Sequence, residues 1–430
     1  MNSRAADAST AIPAAGASAA ADAAERAARE SYGRLVAWLA YQWRDVAAAE
    51  DALATALARA LERWPVDGVP SAPDAWLLSV ARRELLQAAR HQRLHDSPEV
   101  QAVLARDELD DTAPAVPDSR LKLLFVCAHP AIDASIRPAL MLQVVLGLDA
   151  QVVAQAMLAS PAAMAQRLVR AKQKIRDAGL RFEEPESGQL PERLHAVLEA
   201  IYAAYGLGWD AAGTEIGSAD ETPSVGLRSE ALFLGGLVQR LLPGEPEAAG
   251  LLALMLFCEA RTAARLDERG DFVPLQEQDA SRWDRVAIEQ AERLLWQASQ
   301  HRAPGPFQIE AAIQSAHCQR LFHGQTPWRA VAMLYGQLLA MAPSVGAQVA
   351  HAVAWAQAGE LARARELLQA IDHPRLDAHQ PYWVARAHMA RLAGDLPEAT
   401  RCLERAVDLT SAPAVRRHLL ARLADGWRSR

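Results

Sequence analysis

The sequence predicts an all-α protein, and three features of its patterning point to that class. Apolar residues recur along most of the chain at the three- and four-residue spacing of an amphipathic helix. Runs of Val, Ile and Thr that alternate with period two, as in β-strands, are scarce. Clusters of Gly and Pro separate the helical stretches, as at Pro65 to Pro73. We therefore expect helices joined by turns.

Length and composition exclude several classes of protein. A chain of 430 residues can form two or three domains, each with its own core. The longest apolar run, Leu251 to Cys258, is too short to cross a bilayer, and the N-terminus lacks a signal-peptide pattern. We find no phosphate loop, nucleophile motif or metal-ligand pattern. We expect a soluble cytoplasmic protein without enzymatic activity, metal or cofactor, and without membrane association.

The four cysteines lie far apart with no CxxC pair, which favours buried structural thiols over a zinc site or a disulfide framework. They are Cys127, Cys258, Cys318 and Cys402.

Changes in composition divide the chain into six parts. Between Glu99 and Ser119, six acidic residues face one base, Arg106, and two prolines close the run, which indicates a linker. The predicted parts are a disordered tail at 1–23, a helical module at 24–96, an acidic linker at 97–117, a second helical module at 118–182, a helical middle domain at 190–322 and a repeat region at 326–430.

The stretch from Asp149 to Arg176 reads as two short helices separated by a tight turn. Ser160 is a good N-cap, and Pro161 suits the first helical position, so the second helix begins there. The residues of this second helix that can face inward are Met164, Leu168, Val169 and Ile175. A helix-turn-helix places such a second helix in the major groove of DNA. An ordinary helical hairpin with a solvated basic face is the alternative.

Basic residues concentrate at this second helix. Pro161 to Arg181 carries six bases against one acid, a charge of +5, so the rest of a chain of net charge −7 sums to −12. Any surface for nucleic acid is therefore local.

From Trp328 onwards a repeat emerges. Its Ala/Leu pairs step by 34 and then 35 residues, the period of tetratricopeptide helix pairs. The pairs are Ala330/Leu334, Ala364/Leu368 and Ala399/Leu403, with Gly359 and Gly394 before the last two. Such arrays present a concave face to a protein or peptide partner. A plain α-hairpin array without a ligand is the alternative.

Specific motifs resemble the extracytoplasmic-function sigma factors of the sigma-70 family. Residues 33–93 look like region 2 of that family, and residues 118–179 look like region 4. Further motifs resemble one subgroup of this family, which has a long helical C-terminal extension with tetratricopeptide repeats. These motifs are HPA at 129–131 and then, in order, MAQRLVRAKQKIRDAG, LPERL, GLLALMLF, QDASRWDR and AAI. The resemblance implies an alternative sigma factor that binds core RNA polymerase and promoter DNA.

The resemblance implies that a helix at 45–64 docks on the polymerase. Its candidate contacts are Glu50, Asp51, Leu53, Leu57 and Trp64. Alternatively, Leu53 and Leu57 fill the module's own core.

The resemblance also assigns the reading of the melted −10 element to residues 76–93. The candidates there are Trp76, Arg82, Arg83, Arg90 and Arg93. The sequence departs from the family at Arg83, where Asn is usual, and at Glu84, Gln87 and Ala88, where charged residues are common. Fewer cations weaken phosphate attraction, so promoter melting is expected to be weak or selective.

The −35 element would be read as duplex DNA by the helix that begins at Pro161. The candidate contacts are Ser160, Ala162, Ala163, Gln166, Arg167, Arg170, Lys172 and Lys174. Among these, Gln166, Arg167 and Arg170 are assigned to bases, and Lys172 and Lys174 to phosphate or solvent.

Two other functions remain open at this point. A helix-turn-helix regulator with a repeat sensor domain would bind DNA without polymerase, and a repeat scaffold would retain only a vestigial DNA-binding part. In the sigma-factor interpretation, the C-terminal extension regulates activity.

Overall fold

The structure is a computed structural model in which two compact units divide the chain, residues 1–204 and residues 205–430. It describes residues 31–91, 118–157, 159–183, 185–186, 188–211, 223–374 and 376–424. The predicted tail at 1–23 and the predicted linker at 97–117 lie outside these residues. Within them the all-α prediction is confirmed, and one isolated antiparallel bridge joins Leu266 and Phe272. None of the described helices is long and apolar enough to span a membrane.

Three helices form the first module: α1 at 31–43, α2 at Val46–Asp67 and α3 at Pro73–His91. Asp45 caps α2 by accepting a hydrogen bond from the Ala48 N–H at 3.1 Å. The predicted turn at 65–73 begins late, because α2 continues through Pro65 and ends at Gly68, which has φ 85°. Pro65 has no N–H to donate to the carbonyl four residues before it, so the helix continues there without that hydrogen bond.

The second module has four helices: α4 at Arg120–Cys127, α5 at Arg137–Leu146, α6 at Ala150–Ala156 and α7 at Pro161–Asp177. A 3₁₀ turn at Ala134–Ile136 precedes α5. Helices α4 and α5 supply a fully buried core of large side chains, which includes Leu123, Leu124, Phe125, Leu140 and Leu142. Helix α5 of this core also contacts α6 and α7.

Two glycines bring the two modules into close contact. A Cβ on Gly33 in α1 would lie 1.9 Å from the carbonyl oxygen of Val145 in α5. Gly147 ends α5 with φ 72°, and a Cβ there would meet the ring of Tyr32 at 2.8 Å. The first unit is therefore one body in which the two modules pack on each other directly.

Helix α8, at Leu190–Ala211, begins in the first unit. Its Arg193 donates from Nη2 to the Phe125 carbonyl at 2.7 Å, which ties the first turn of α8 to α4. The start of the middle domain is thus part of the first unit, whereas the predicted division placed all of 190–322 outside the DNA-binding module.

The second unit contains eleven further helices among its described residues. They are α9 at Pro223–Leu241, α10 at Pro246–Glu259, α11 at Arg285–Ser299, α12 at Pro306–Cys318, α13 at Arg320–His323, α14 at Trp328–Met341, α15 at Val345–Gln357, α16 at Leu361–Gln369, α17 at Gln380–Leu392, α18 at Leu396–Asp408 and α19 at Pro413–Ala424. Helix α10 is apolar on nearly all sides and almost wholly buried, so it forms the centre of the packing.

The predicted repeat falls on α14 to α19. Gly359 and Gly394 adopt φ 87° and 80°, a left-handed conformation, just before α16 and α18 begin. The second and third Ala/Leu pairs are buried, but Ala330 of the first pair is exposed. The buried Ala/Leu positions therefore repeat over one step of 35 residues, and the tetratricopeptide assignment stays a prediction.

Candidate nucleic-acid interface

Helix α7 begins where the sequence predicts. The Oγ of Ser160 accepts a hydrogen bond from the Ala163 N–H at 3.2 Å, and Pro161 occupies the first turn. Inside the unit lie Met164, Leu168, Ala171 and Ile175. The inward placement of Val169 is wrong: the residue is 64% exposed. The buried positions recur three and four residues apart, and Val169 falls outside that stripe.

A stripe of exposed residues runs along the opposite side of α7. Ala162, Gln166, Arg170 and Lys174 are four residues apart and all exposed, so they lie above one another on one face. Small residues stand at the N-terminal end of this stripe and cations at the C-terminal end. Ala163 and Ser160 are also exposed beside its start.

Arg167 lies at the edge of this stripe and is partly engaged within the protein. Its Nη2 donates to the Oγ of Ser135 at 2.7 Å. With Arg170 and Lys174 it borders a shallow depression of about 350 Å³ beside the turn at 131–136. The Asp133 carboxylate in that turn accepts from Ser135, which holds the pKa of Asp133 below its usual range.

Lys172 does not belong to the exposed face. Its Nζ lies 2.6 Å from Oε2 of Glu50 in α2, and the two side chains are only 14% and 12% exposed. Lys172 follows the buried Leu168 by one turn, which places it at the inner edge of α7. In this conformation each of the two side chains covers the other, and the assignments of Lys172 to phosphate and of Glu50 to polymerase stay predictions.

Neighbouring groups extend this contact between α2 and α7. Arg176 Nη1 lies 3.4 Å from Asp45 Oδ2. The Tyr32 hydroxyl is hydrogen-bonded to Glu50, and burial together with that carboxylate raises the pKa of Tyr32. Burial raises the pKa of Glu50, and Lys172 opposes the increase. We name the set Tyr32, Asp45, Glu50, Lys172 and Arg176 the α2–α7 contact.

The predicted polymerase-facing residues divide into buried and accessible ones. Leu53 and Trp64 are buried at 1% and 3% exposure, so they belong to the module's own core. Leu57 is half-buried and Asp51 is exposed. Of the five candidates, Asp51 alone presents an exposed side chain.

The predicted −10 residues lie on α3 or just beyond it. Trp76 is half-buried and packs edge to face on Trp64, with ring centroids 5.6 Å apart. The Arg82 guanidinium stacks over the Trp38 ring at 5.5 Å, and Arg83 is exposed. Arg93 and the side chain of Arg90 lie outside the described residues.

Sequence reasoning missed the partners that hold these side chains. Tyr32 and Ser135 engage the candidate residues Glu50 and Arg167, and Asp45 engages the neighbouring Arg176. No local pattern marks them, since a polar residue near a helix end is most simply explained as a cap.

Polar residues at 259–284 in the second unit have structural roles. Glu259 Oε1 pairs with Arg228 Nε at 3.0 Å, and Arg265 donates to the Trp209 carbonyl. Asp279 and Asp284 accept from backbone N–H groups at helix starts. Asp271 and Glu277 pair with Arg417 and Arg422, so ion pairs and caps together account for these acids. Within the described part of the chain, no cluster of metal-ligating side chains occurs.

Comparison with known proteins agrees with the first module and with the start of the extension. Residues 29–95 match the family Sigma-70 region 2, and residues 193–299 match a family of unknown function, DUF6596. An uncharacterised protein of Rhizobium meliloti (strain 1021) is 35% identical over 379 residues, which cover 86% of this chain and 88% of that protein. No solved structure matches. The chain belongs to the same family as the Rhizobium protein, and its match to Sigma-70 region 2 supports a relationship to the sigma-70 family and a role in transcription initiation.

Proposed function

We propose that the protein is an alternative sigma factor of the extracytoplasmic-function type. Its first module binds core RNA polymerase and the melted −10 element, α7 reads the −35 element, and the C-terminal extension regulates this activity. The observation that carries the proposal is the exposed stripe of α7. The match to Sigma-70 region 2 lies before this helix in the same compact unit.

The order of residues along the stripe suits duplex DNA. Ala162 and Ala163 allow the start of α7 to approach the base edges closely. Gln166 and Arg170 follow, and these side chains form bidentate contacts with adenine and guanine, respectively. Lys174 lies one turn further on, where phosphate is the expected partner.

A sigma factor that reads both elements at once must open the α2–α7 contact. The two elements are about 25 base pairs apart, or about 85 Å at 3.4 Å per pair. A compact unit of about 200 residues has a radius of gyration near 17 Å and hence a diameter of about 45 Å. The described conformation, with Lys172 held 2.6 Å from Glu50, is therefore a closed state.

The central experiment is run-off transcription from fragmented genomic DNA with purified core polymerase, followed by sequencing of the transcripts. We expect the full chain to direct initiation at a shared promoter sequence. Arg170→Ala should lower the yield of these transcripts about tenfold or more, as expected for a lost base contact. Arg181→Ala is the matched control, since this arginine is 78% exposed and lies beyond the end of α7. Absence of specific transcripts with the wild-type chain would refute the proposal.

Opening of the α2–α7 contact is tested by energy transfer between dyes on Ala54→Cys and Gln173→Cys, two exposed positions on α2 and α7. The dyes react only with the two introduced thiols, because Cys127, Cys318 and Cys402 are buried and Cys258→Ser removes the partly accessible native thiol. Transfer should be high in the free chain and fall when polymerase and promoter bind. Unchanged transfer in the complex would contradict the opening step.

The burial of Glu50, Leu53 and Trp64 favours one alternative, a DNA-binding regulator that acts without polymerase. A pull-down with core polymerase distinguishes the two: the sigma factor is retained, and the regulator is not.

A further inference from the structure

We propose that Asp133 and Ser135 are specificity-determining residues that position Arg167 to read one guanine of the −35 element. The inference rests on the proposed promoter-reading role of α7, and it adds to that role two residues outside the helix. Both lie in the turn before α5, and Ser135 is 32 positions away from the arginine that it holds.

Three side chains form a chain of hydrogen bonds at the edge of the exposed stripe. Arg167 Nη2 donates to Ser135 Oγ at 2.7 Å, and Ser135 Oγ donates to Asp133 Oδ1 at 2.6 Å. The same carboxylate oxygen accepts from the Ser135 N–H at 2.7 Å, which fixes the turn. A serine hydroxyl has a single proton. Because Asp133 takes that proton, the hydroxyl meets Arg167 as an acceptor.

This chain restricts the orientation of a long side chain before DNA arrives. Arg167 is half-buried, whereas Gln166 and Arg170 beside it are exposed. A free arginine loses rotamer freedom when it binds, and a guanidinium that is already held loses less. Ser135 uses one of the five N–H donors of the guanidinium, so the others can form a bidentate contact.

The position of Arg167 on α7 allows a contact with bases. Arg167 follows Ala163 by one turn and precedes Arg170 by three residues, so both are its neighbours on the helix surface. Ala163 and Arg170 are exposed. Because the side chain of Ala163 ends at Cβ, it leaves room for the guanidinium to reach the floor of the groove.

A base suits this arrangement better than a phosphate. The Asp133 carboxylate interacts with the charge of Arg167, so it offsets part of the attraction to any phosphate. A fixed guanidinium gains most from two acceptors that lie in one plane, and guanine presents O6 and N7 in this way in the major groove. A phosphate accepts hydrogen bonds from several directions, so it needs no such alignment.

The test uses a duplex library with about ten random base pairs, one turn of the double helix. Duplexes retained by the full chain, alone and with core polymerase, are sequenced to give the base preference at each position. The wild-type chain should prefer guanine about tenfold or more at one position, and Arg167→Ala should remove that preference and leave the others. Ser135→Ala should lower the same preference about three- to tenfold, as expected for one hydrogen bond.

Conservative variants and a double-mutant cycle separate positioning from folding. Ser135→Thr keeps the hydroxyl and should restore the preference. Asp133→Ala should lower it, because the serine proton is then free to turn towards Arg167. In the Arg167→Ala background, Ser135→Ala should have no further effect, since its hydroxyl acts through the guanidinium. Ser71→Ala, at an exposed serine before α3, is the matched control and should change no preference.

Two results would overturn the inference and leave promoter reading by α7 intact. One is a base profile that Ser135→Ala leaves unchanged or sharpens. The other is a uniform loss of affinity for all sequences in Arg167→Ala, with a salt slope lower by about one, because Arg167 would then contact a phosphate. If the wild-type chain enriches no sequence, either alone or with polymerase, the proposed function itself fails.

Discussion

The α2–α7 contact allows one prediction to be worked through in detail. Lys172→Met removes the positive partner of Glu50 and leaves its carboxylate in a site where it is 12% exposed. Breaking a fully buried ion pair costs about 3 to 5 kcal/mol. Residual solvent contact and the hydrogen bond with Tyr32 reduce this, so we expect a loss of about 2 to 3 kcal/mol in the free energy of unfolding of the first unit.

The four cysteines provide an assay that separates the two units. Cys127 is fully buried in the first unit, and Cys402 is buried in the second. Alkylation of each thiol, read by mass spectrometry of its tryptic peptide along a urea gradient, follows the unfolding of its own unit. Lys172→Met should move the Cys127 midpoint to lower urea and leave the Cys402 midpoint unchanged.

A double-mutant cycle completes this test. Adding Glu50→Gln to Lys172→Met removes the unpaired charge and should restore most of the lost stability. Arg181→Ala breaks a highly exposed pair with Glu183 and should change the midpoint by less than about 0.5 kcal/mol. A loss below about 0.5 kcal/mol for Lys172→Met would refute the reasoning, because the pair would then be open in solution.

Three further outcomes are expected. The pKa of Glu50 is raised above 4.5 in the folded state, so its contribution to stability is present below pH 4.5 and is lost as pH rises; Glu50→Gln should therefore flatten the pH dependence of the Cys127 midpoint above pH 4.5. The pKa of His317 is lowered to about 3, so the second unit should lose stability as pH falls from about 6.5 towards that value, and His317→Gln should reduce the loss. Gly33→Ala places a methyl group 1.9 Å from Val145 O and should cost about 1 to 3 kcal/mol in urea unfolding, whereas Gly188→Ala, with open space around it, should be within about 0.5 kcal/mol of wild type.

Local chemistry in the sequence determined the helical class and the start of α7. Ser160 and Pro161 act through neighbours three residues away or fewer, so their roles can be predicted without a fold. The exposed stripe of α7 follows from the same helical period. The period fails at Val169, because an apolar side chain is not obliged to face the core.

In the second unit, too, local features could be predicted from the sequence and the arrangement of distant segments could not. The spacing of Gly359 and Gly394 marks helix starts that the structure contains, since a left-handed residue is a local requirement. The acids at 279 and 284 also act locally, as caps. The cavity of about 690 Å³ in the second unit has no such signature, because its walls come from segments between 265 and 422.

Tertiary structure alone decided which charged residues of the first unit are available. Glu50 and Lys172 look like surface residues in the sequence, yet they are 122 positions apart and bury each other (172 − 50). The close approach of Gly33 to Val145 packs α1 against α5, and it leaves no trace in the periodicity of either helix. The sequence by itself determined which helices form and which of their faces are polar. Which polar residues meet was decided by packing between distant segments, and only the fold specifies that packing.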